Sequence, residues 1–98
     1  MVDVVALGIF LRIIREERGL TQSVVAELIG LSEKAIRNIE NGESEPKLNT
    51  VLKMCDVYQI PGSEIMYFYS RSKEMEYLMK LFRIDTITEE KRPLIYNE

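Results

Sequence analysis

The segment from Thr21 to Glu40 constrains the fold of this chain more than any other stretch of its sequence. Thr21 and Ser32 each offer a side-chain oxygen that can cap the free N–H groups at the start of a helix. Gly30 lies between the two segments, and apolar residues recur within each at helical spacing. The pattern predicts two short helices joined by a tight turn. The expected buried residues are Val25, Ala26, Ile29, Ile36 and Ile39, with Leu31 packed in the turn.

The segment before Thr21 predicts a first helix from about Ala6 to Arg18, preceded by a short lead-in over residues 1–5. Gly19 is the expected C-terminal cap of this helix. Two apolar stripes run along nearly opposite sides of it, so both sides need a cover. The core-facing stripe comprises Leu7, Phe10, Leu11 and Ile14, and the second stripe comprises Val5, Ile9 and Ile13.

The remaining pattern is helical as well. A fourth helix is expected over Leu48 to Tyr58, and Pro61-Gly62 separates it from a fifth helix capped by Ser63. A sixth, amphipathic helix places Met75, Leu78, Met79 and Phe82 at positions i, i+3, i+4 and i+7. We therefore expect an all-α protein. Its parts are a five-helix bundle over residues 1–69, a C-terminal helix for docking or dimerisation over 70–84, and a tail over 85–98.

Composition excludes several classes of protein. Hydrophobic residues make up 46% of the chain, which is enough for a modest core, and no apolar run approaches the ~20 residues of a membrane span. Cys55 is the only cysteine and there is no histidine, so neither a disulfide within the chain nor a cysteine–histidine metal site can form. We expect a cytoplasmic protein that is not an enzyme and carries no metal and no cofactor, with Cys55 in its core.

Two short helices joined by a tight glycine-containing turn form a helix-turn-helix unit, whose second helix can lie in the DNA major groove. The net charge of −3 works against non-specific binding to nucleic acid, and the excess acid lies within residues 1–68. A local basic face can still contact phosphates. The sequence therefore predicts DNA binding through a limited face rather than through overall charge.

Residues 7–68 resemble the phage-repressor-like (Xre or Cro type) helix-turn-helix family. The matching pieces are Leu7-Gly8, Leu11-Arg12, Ile14-Arg15, Gly19-Leu20-Thr21-Gln22, Val25-Ala26, Gly30-Leu31-Ser32, Ile36, Ile39-Glu40, Asn41-Gly42 and Pro46. The resemblance implies a five-helix bundle that binds a palindromic operator in double-stranded DNA as a homodimer. It also implies a transcriptional regulator, most simply a repressor.

The resemblance also assigns roles to individual residues. Base readout falls to Ser32, Glu33, Lys34 and Asn38, because Asn can pair with adenine, Lys can donate to guanine and Glu can accept from cytosine. Arg15 and Glu40 match a structural ion pair that ties the first helix to the third. The residues expected to contact phosphates are Gln22, Ser23, Arg37, Asn41 and Lys47.

Several apolar residues depart from the family, which usually has polar residues at these positions. Ile9 and Ile13 are on the first helix, and Val24 and Leu28 form an i,i+4 pair on the outer side of the second. An exposed apolar patch requires a partner. We expect residues 72–84 to dock on the first helix, either in the same chain or exchanged between the subunits of a dimer. The alternative is that these apolar residues simply enlarge the core. The expected docking or dimer surface comprises Ile9, Ile13, Val24, Leu28, Met75, Leu78, Met79 and Phe82.

Two alternatives to a plain repressor remain open at this point. The same fold could be the antitoxin of a toxin–antitoxin pair, binding both operator and toxin. It could also serve as a protein interaction module that has lost DNA binding. The acidic balance and the apolar cluster Leu94-Ile95-Tyr96 would suit a protein partner, either a toxin or another protein.

Overall fold

The computed structural model describes residues 2–69 and 73–82, with the side chains of the last helix described from Glu76 onward. Predictions that concern residues 70–72 and the tail lie outside the described residues. The structure confirms an all-helical architecture. Its elements are α1 (Val4–Glu17), α2 (Gln22–Ile29), α3 (Glu33–Glu40), α4 (Leu48–Tyr58), a 3-10 helix (Gly62–Phe68) and α5 (Lys73–Leu81).

Side-chain caps begin α2 and α3, as the sequence predicted. Thr21 Oγ1 accepts a hydrogen bond from the Val24 N–H at 3.1 Å, and Ser32 Oγ accepts one from the Ala35 N–H at 3.1 Å. Gly30 separates the helices with a positive φ of 77°, a left-handed conformation that glycine adopts without steric cost. Such caps typically contribute ~1 kcal/mol each.

The predicted core residues of α1 to α4 form one cluster. Phe10, Ile14 and Ile29 are half-buried at its edge. Leu31 was predicted to pack in the turn, but it is exposed. A backbone hydrogen bond from the Leu31 N–H to the Ala26 carbonyl closes the turn, so the turn needs no apolar side chain to hold it. The side chains fully excluded from solvent in these helices are Leu7, Leu11, Val25, Ile36, Val51, Met54 and Tyr58.

Gly8 sets the distance between α1 and α3. A Cβ atom at this position would lie 2.7 Å from the Glu40 carbonyl oxygen and would also meet the Ile39 carbonyl oxygen. Only a residue without a side chain allows the two backbones to approach this closely. Arg15 follows Gly8 by two helical turns on the same face of α1. The close approach at Gly8 therefore brings Arg15 to the C-terminal end of α3.

The structure corrects two further predictions, one at the start of the chain and one at the expected fifth helix. Val2 is buried and pairs with Tyr69, and the Asp3 N–H donates to the Phe68 carbonyl at 2.8 Å, so these residues are not a loose lead-in. The segment expected to form a fifth α-helix is a 3-10 helix without a side-chain cap. Ser63 does not cap it, because the Pro61 carbonyl starts the i→i+3 pattern by accepting from the Glu64 N–H.

Helix α5 docks, but not on the outer face of α1. It packs against the 3-10 helix, and Leu78 is fully buried there. The Phe82 ring occupies space that a side chain at Gly62 would fill, next to the side chain of Leu52. The absence of a Cβ at Gly62 therefore explains why the end of α5 seats against the 3-10 helix and α4. None of the described helices has the length and apolar character needed to cross a membrane.

Candidate nucleic-acid interface

Helix α3 has one buried side and one exposed side. Ile36 and Ile39 pack in the core, while Glu33 and Lys34 in the first turn are exposed. Ser32, at the N-cap, is also exposed, and Asn38 is half-buried. All four residues predicted to read bases are thus on or at the start of this helix, and three of the four are exposed.

The residues predicted to contact phosphates lie at or near the ends of α2, α3 and α4. Ser23 lies in the first turn of α2, Arg37 and Asn41 lie at the end of α3, and Lys47 immediately precedes α4. All four are exposed, whereas Gln22, the first residue of α2, is half-buried.

The exposed charged side chains of α3 are Glu33, Lys34 and Arg37, because Glu40 is buried. The helix therefore presents two cations and one carboxylate to solvent.

Arg15 and Glu40 form a two-pronged ion pair between α1 and α3. Arg15 Nε donates to Glu40 Oε2 at 2.7 Å, and Arg15 Nη2 donates to Glu40 Oε1 at 3.0 Å. The hydrogen bond and the negative charge of Glu40 raise the pKa of the Arg15 guanidinium, against the opposing effect of burial. Arg15 Nη1 also donates to the Leu20 carbonyl at 2.7 Å. One guanidinium therefore ties α1 to α3 and to the segment that leads into α2.

A second contact of Glu40 was not anticipated from the sequence. Gln22 Nε2 donates to Glu40 Oε1 at 2.9 Å, so the amide expected to face a phosphate is held by a buried carboxylate. The two residues are 18 positions apart and belong to different helices. No local sequence pattern marks such a pair, and only the packing of α2 on α3 brings the two side chains together.

Four apolar residues predicted to form part of a docking or dimer surface are exposed. Ile9 and Ile13 on α1 are 52% and 47% exposed, and Val24 and Leu28 on α2 are 41% and 61% exposed. Within residues 2–69 and 73–82, the bundle does not cover them.

The residues of α5 predicted for the same surface behave differently. Leu78 is buried, Met79 and Phe82 are half-buried, and the side chain of Met75 lies outside the described set. Leu78 therefore belongs to the core, not to a free surface.

Cys55 lies in the core, as predicted. Its side chain is almost completely excluded from solvent, and burial raises the pKa of its thiol from 9.0 to about 11. A thiol that is neutral and inaccessible at physiological pH is a poor nucleophile. Cys55 is therefore a small apolar packing residue of α4.

Comparison with known proteins places this geometry in a family. The family model described as "Helix-turn-helix domain" matches residues 6–66. The chain is 40% identical over 63 residues to the HTH-type transcriptional repressor RghR of Bacillus subtilis, an alignment that covers 63% of this chain and 47% of RghR. It is 28% identical over 86 residues to the cryptic phage CTXphi transcriptional repressor RstR of Vibrio cholerae, covering 88% and 78% of the two chains.

A solved structure gives the same result. The restriction-modification controller protein C.AhdI of Aeromonas hydrophila superposes with a TM-score of 0.61 at 32% identity, covering 64% of this chain and 91% of that one. The chain spans about half the length of RghR, so the likeness to that protein concerns this domain. As its resemblance to phage-repressor-like proteins predicted, the chain belongs to the helix-turn-helix domain family.

Proposed function

We propose that this protein is a DNA-binding transcriptional regulator that represses transcription by inserting α3 into the major groove of an operator. The observation that carries the proposal is the two-sided character of α3. Its Ile36 and Ile39 face is locked in the core, while its first turn presents Glu33 and Lys34 to solvent. RghR and RstR are named as transcriptional repressors, which supports repression rather than activation.

Base recognition falls to the first turns of α3. Lys34 donates to guanine, and Asn38 can pair with adenine through both its donor and its acceptor. Ser32 can serve as donor or acceptor, and Glu33 accepts from the amino group of cytosine. Repulsion between its carboxylate and the phosphates lowers affinity at every site, and a site without a cytosine at the facing position also leaves Glu33 without a hydrogen-bond donor. This carboxylate therefore makes recognition more selective and overall affinity lower.

Backbone contacts surround these base contacts. Ser23 and Gln22 lie at the start of α2, where free N–H groups and the helix dipole favour an anion. Arg37, Asn41 and Lys47 add two charges and an amide on the flanks of α3. Each phosphate neutralised by a Lys or Arg contributes about one unit to the slope of log affinity against log salt concentration. With only Arg37 and Lys47 as charged phosphate contacts, each subunit gives a shallow slope.

A homodimer completes the proposed mechanism. Two copies of α3 read the two halves of a palindromic operator, whose centres lie roughly 34–36 Å apart. The bound dimer excludes RNA polymerase from the promoter. The exposed apolar side chains of α1 and α2 support contact with another protein chain, and a second copy of this protein is the simplest partner. Leu28→Asp should then shift the molar mass in solution toward that of a monomer, as measured by light scattering.

The experiment that tests the function is a mobility-shift titration with the DNA upstream of the protein's own gene, repeated over a series of salt concentrations. The proposal expects tight binding that weakens with salt and is lost in the double variant Lys34→Ala/Asn38→Ala. Lys53→Ala is the matched control, because it removes one exposed cation from α4 and leaves α3 intact. Absence of a shift at low salt, or equal losses in the two variants, would reject the assignment of α3.

A further inference from the structure

Three helices meet at the carboxylate of Glu40. The side chain is completely buried at the end of α3 and accepts two hydrogen bonds from Arg15 of α1 and one from Gln22 of α2. The pair with Arg15 joins α3 to α1. The bond to Gln22 links this buried group to the first residue of a helix whose N-terminus faces solvent.

The geometry fixes the Gln22 amide by one of its hydrogens only. Nε2 carries two N–H groups, and one of them is donated to Glu40 Oε1 at 2.9 Å. The second N–H and the amide oxygen have no hydrogen-bond partner among residues 2–69 and 73–82. Gln22 is half-buried, so its amide is anchored on the inner side and unoccupied on the outer side.

The charge of Glu40 would by itself oppose an anion next to Gln22. Arg15 neutralises this charge through two short hydrogen bonds, and its pKa is raised, so the guanidinium stays charged at every physiological pH. The carboxylate can therefore act as a rigid acceptor for the amide without presenting net charge to the DNA. A glutamine held in this way loses less conformational freedom when it contacts a ligand.

We infer that Glu40 is a positioning residue for DNA binding, holding the Gln22 amide so that its second N–H is directed at a backbone phosphate. The inference rests on the proposed function and deepens it. Glu40 does not touch DNA and acts only through Gln22. Since ordering one long side chain at an interface changes affinity by about 2- to 10-fold, the benefit of the anchoring should be of that size.

A double-mutant cycle tests the inference. Gln22→Ala is introduced into the wild-type protein and into Arg15→Met/Glu40→Met, in which apolar side chains replace both members of the buried pair. Operator affinity is measured at a temperature where circular dichroism shows that every variant is folded. We expect Gln22→Ala to weaken binding about 2- to 10-fold in the wild type and less than 2-fold in the apolar background. An equal loss in both backgrounds would overturn the inference.

A conservative variant separates positioning from general damage to the fold. Arg15→Met/Glu40→Gln removes the buried charges but leaves an amide oxygen that can accept from Gln22. The penalty of Gln22→Ala should return in this background. If Gln22→Ala still costs no affinity in this background, the junction affects DNA binding by some route other than the Gln22 amide, and the inference fails.

The anchoring of the Gln22 amide can also be tested on the wild-type protein, without any variant. Hydrogen exchange of the side-chain amides is followed by NMR, with exposed Gln59 as the internal control. We expect slower exchange at Gln22 than at Gln59, and equal rates would reject the anchoring. If the wild type binds no operator DNA, the proposed function fails. The exchange rates still show whether Glu40 holds the Gln22 amide, since that measurement requires no DNA. If it binds and the cycle shows no coupling, only the inference fails.

Discussion

Replacing Gly8 with alanine is expected to destabilise the protein, although alanine is the better helix former. In an exposed helix interior this substitution stabilises by up to about 1 kcal/mol, because glycine loses more backbone entropy on folding. At Gly8 the new Cβ would lie 2.7 Å from the Glu40 carbonyl oxygen and would also collide with the Ile39 carbonyl oxygen. These atoms belong to the last turn of α3 and cannot rotate aside as a side chain would.

The cost follows from the movement that the methyl group imposes. Overpacking of a close contact typically costs ~1–3 kcal/mol, and here α1 must also move away from the helix that holds Glu40. That movement strains the Arg15–Glu40 ion pair, and complete loss of one partner of such a pair would cost ~3–5 kcal/mol. The helix-propensity gain of up to about 1 kcal/mol is offset by partial weakening of the ion pair, so we expect a net loss of about 1–3 kcal/mol in the free energy of unfolding.

Thermal and urea unfolding followed by circular dichroism measure this effect, and each kcal/mol should lower Tm by roughly 4–8 °C in a domain of this size. Gly62→Ala is the matched control, because the added Cβ there meets the Phe82 ring and the end of the Leu52 side chain, both of which can adjust. It should cost less than Gly8→Ala. A Gly8→Ala protein with the wild-type Tm, or a higher one, would refute the close approach of α1 and α3.

Three further predictions concern other parts of the molecule. Leu78→Ala should lower the free energy of unfolding by about 2–5 kcal/mol, as expected for a fully buried leucine, whereas exposed Tyr77→Ala should change it little in the same urea titration. Gln59→Gly should raise the free energy of unfolding by about 1 kcal/mol, and Tm with it, because Gln59 caps α4 with a positive φ of 59°. Cys55, whose pKa is raised to about 11, should resist iodoacetamide at pH 8 in the native protein and react on unfolding in urea, as followed by mass spectrometry.

The local features of the fold could be predicted from the sequence. Thr21 and Ser32 act through hydrogen bonds to residues three positions away, so both caps were visible in the order of the amino acids. The bounds of α4 were predicted in full, because apolar spacing and the flanking loop both define them. A resemblance to a known family supplied the Arg15–Glu40 pair, which connects residues 25 positions apart.

Features that depend on tertiary packing could not be predicted in the same way. The bond between Gln22 and Glu40, the pairing of Val2 with Tyr69 and the seating of Phe82 at Gly62 each join distant segments. The amphipathic pattern of α5 indicated that the helix must dock but did not say where. The helix docks on the 3-10 helix rather than on α1 because that surface has room for the Phe82 ring, which occupies the space left by the missing side chain of Gly62.

The pairing of Val2 with Tyr69 has a practical consequence for any fusion of this protein. The two ends of the bundle are in contact, so a polypeptide added before Val2 and the chain that continues past Tyr69 leave from the same point on the surface. A tag or reporter joined at the N-terminus will therefore lie close to Lys47, one of the proposed phosphate contacts, because Val2 and Tyr69 line one surface pocket with residues 45–48.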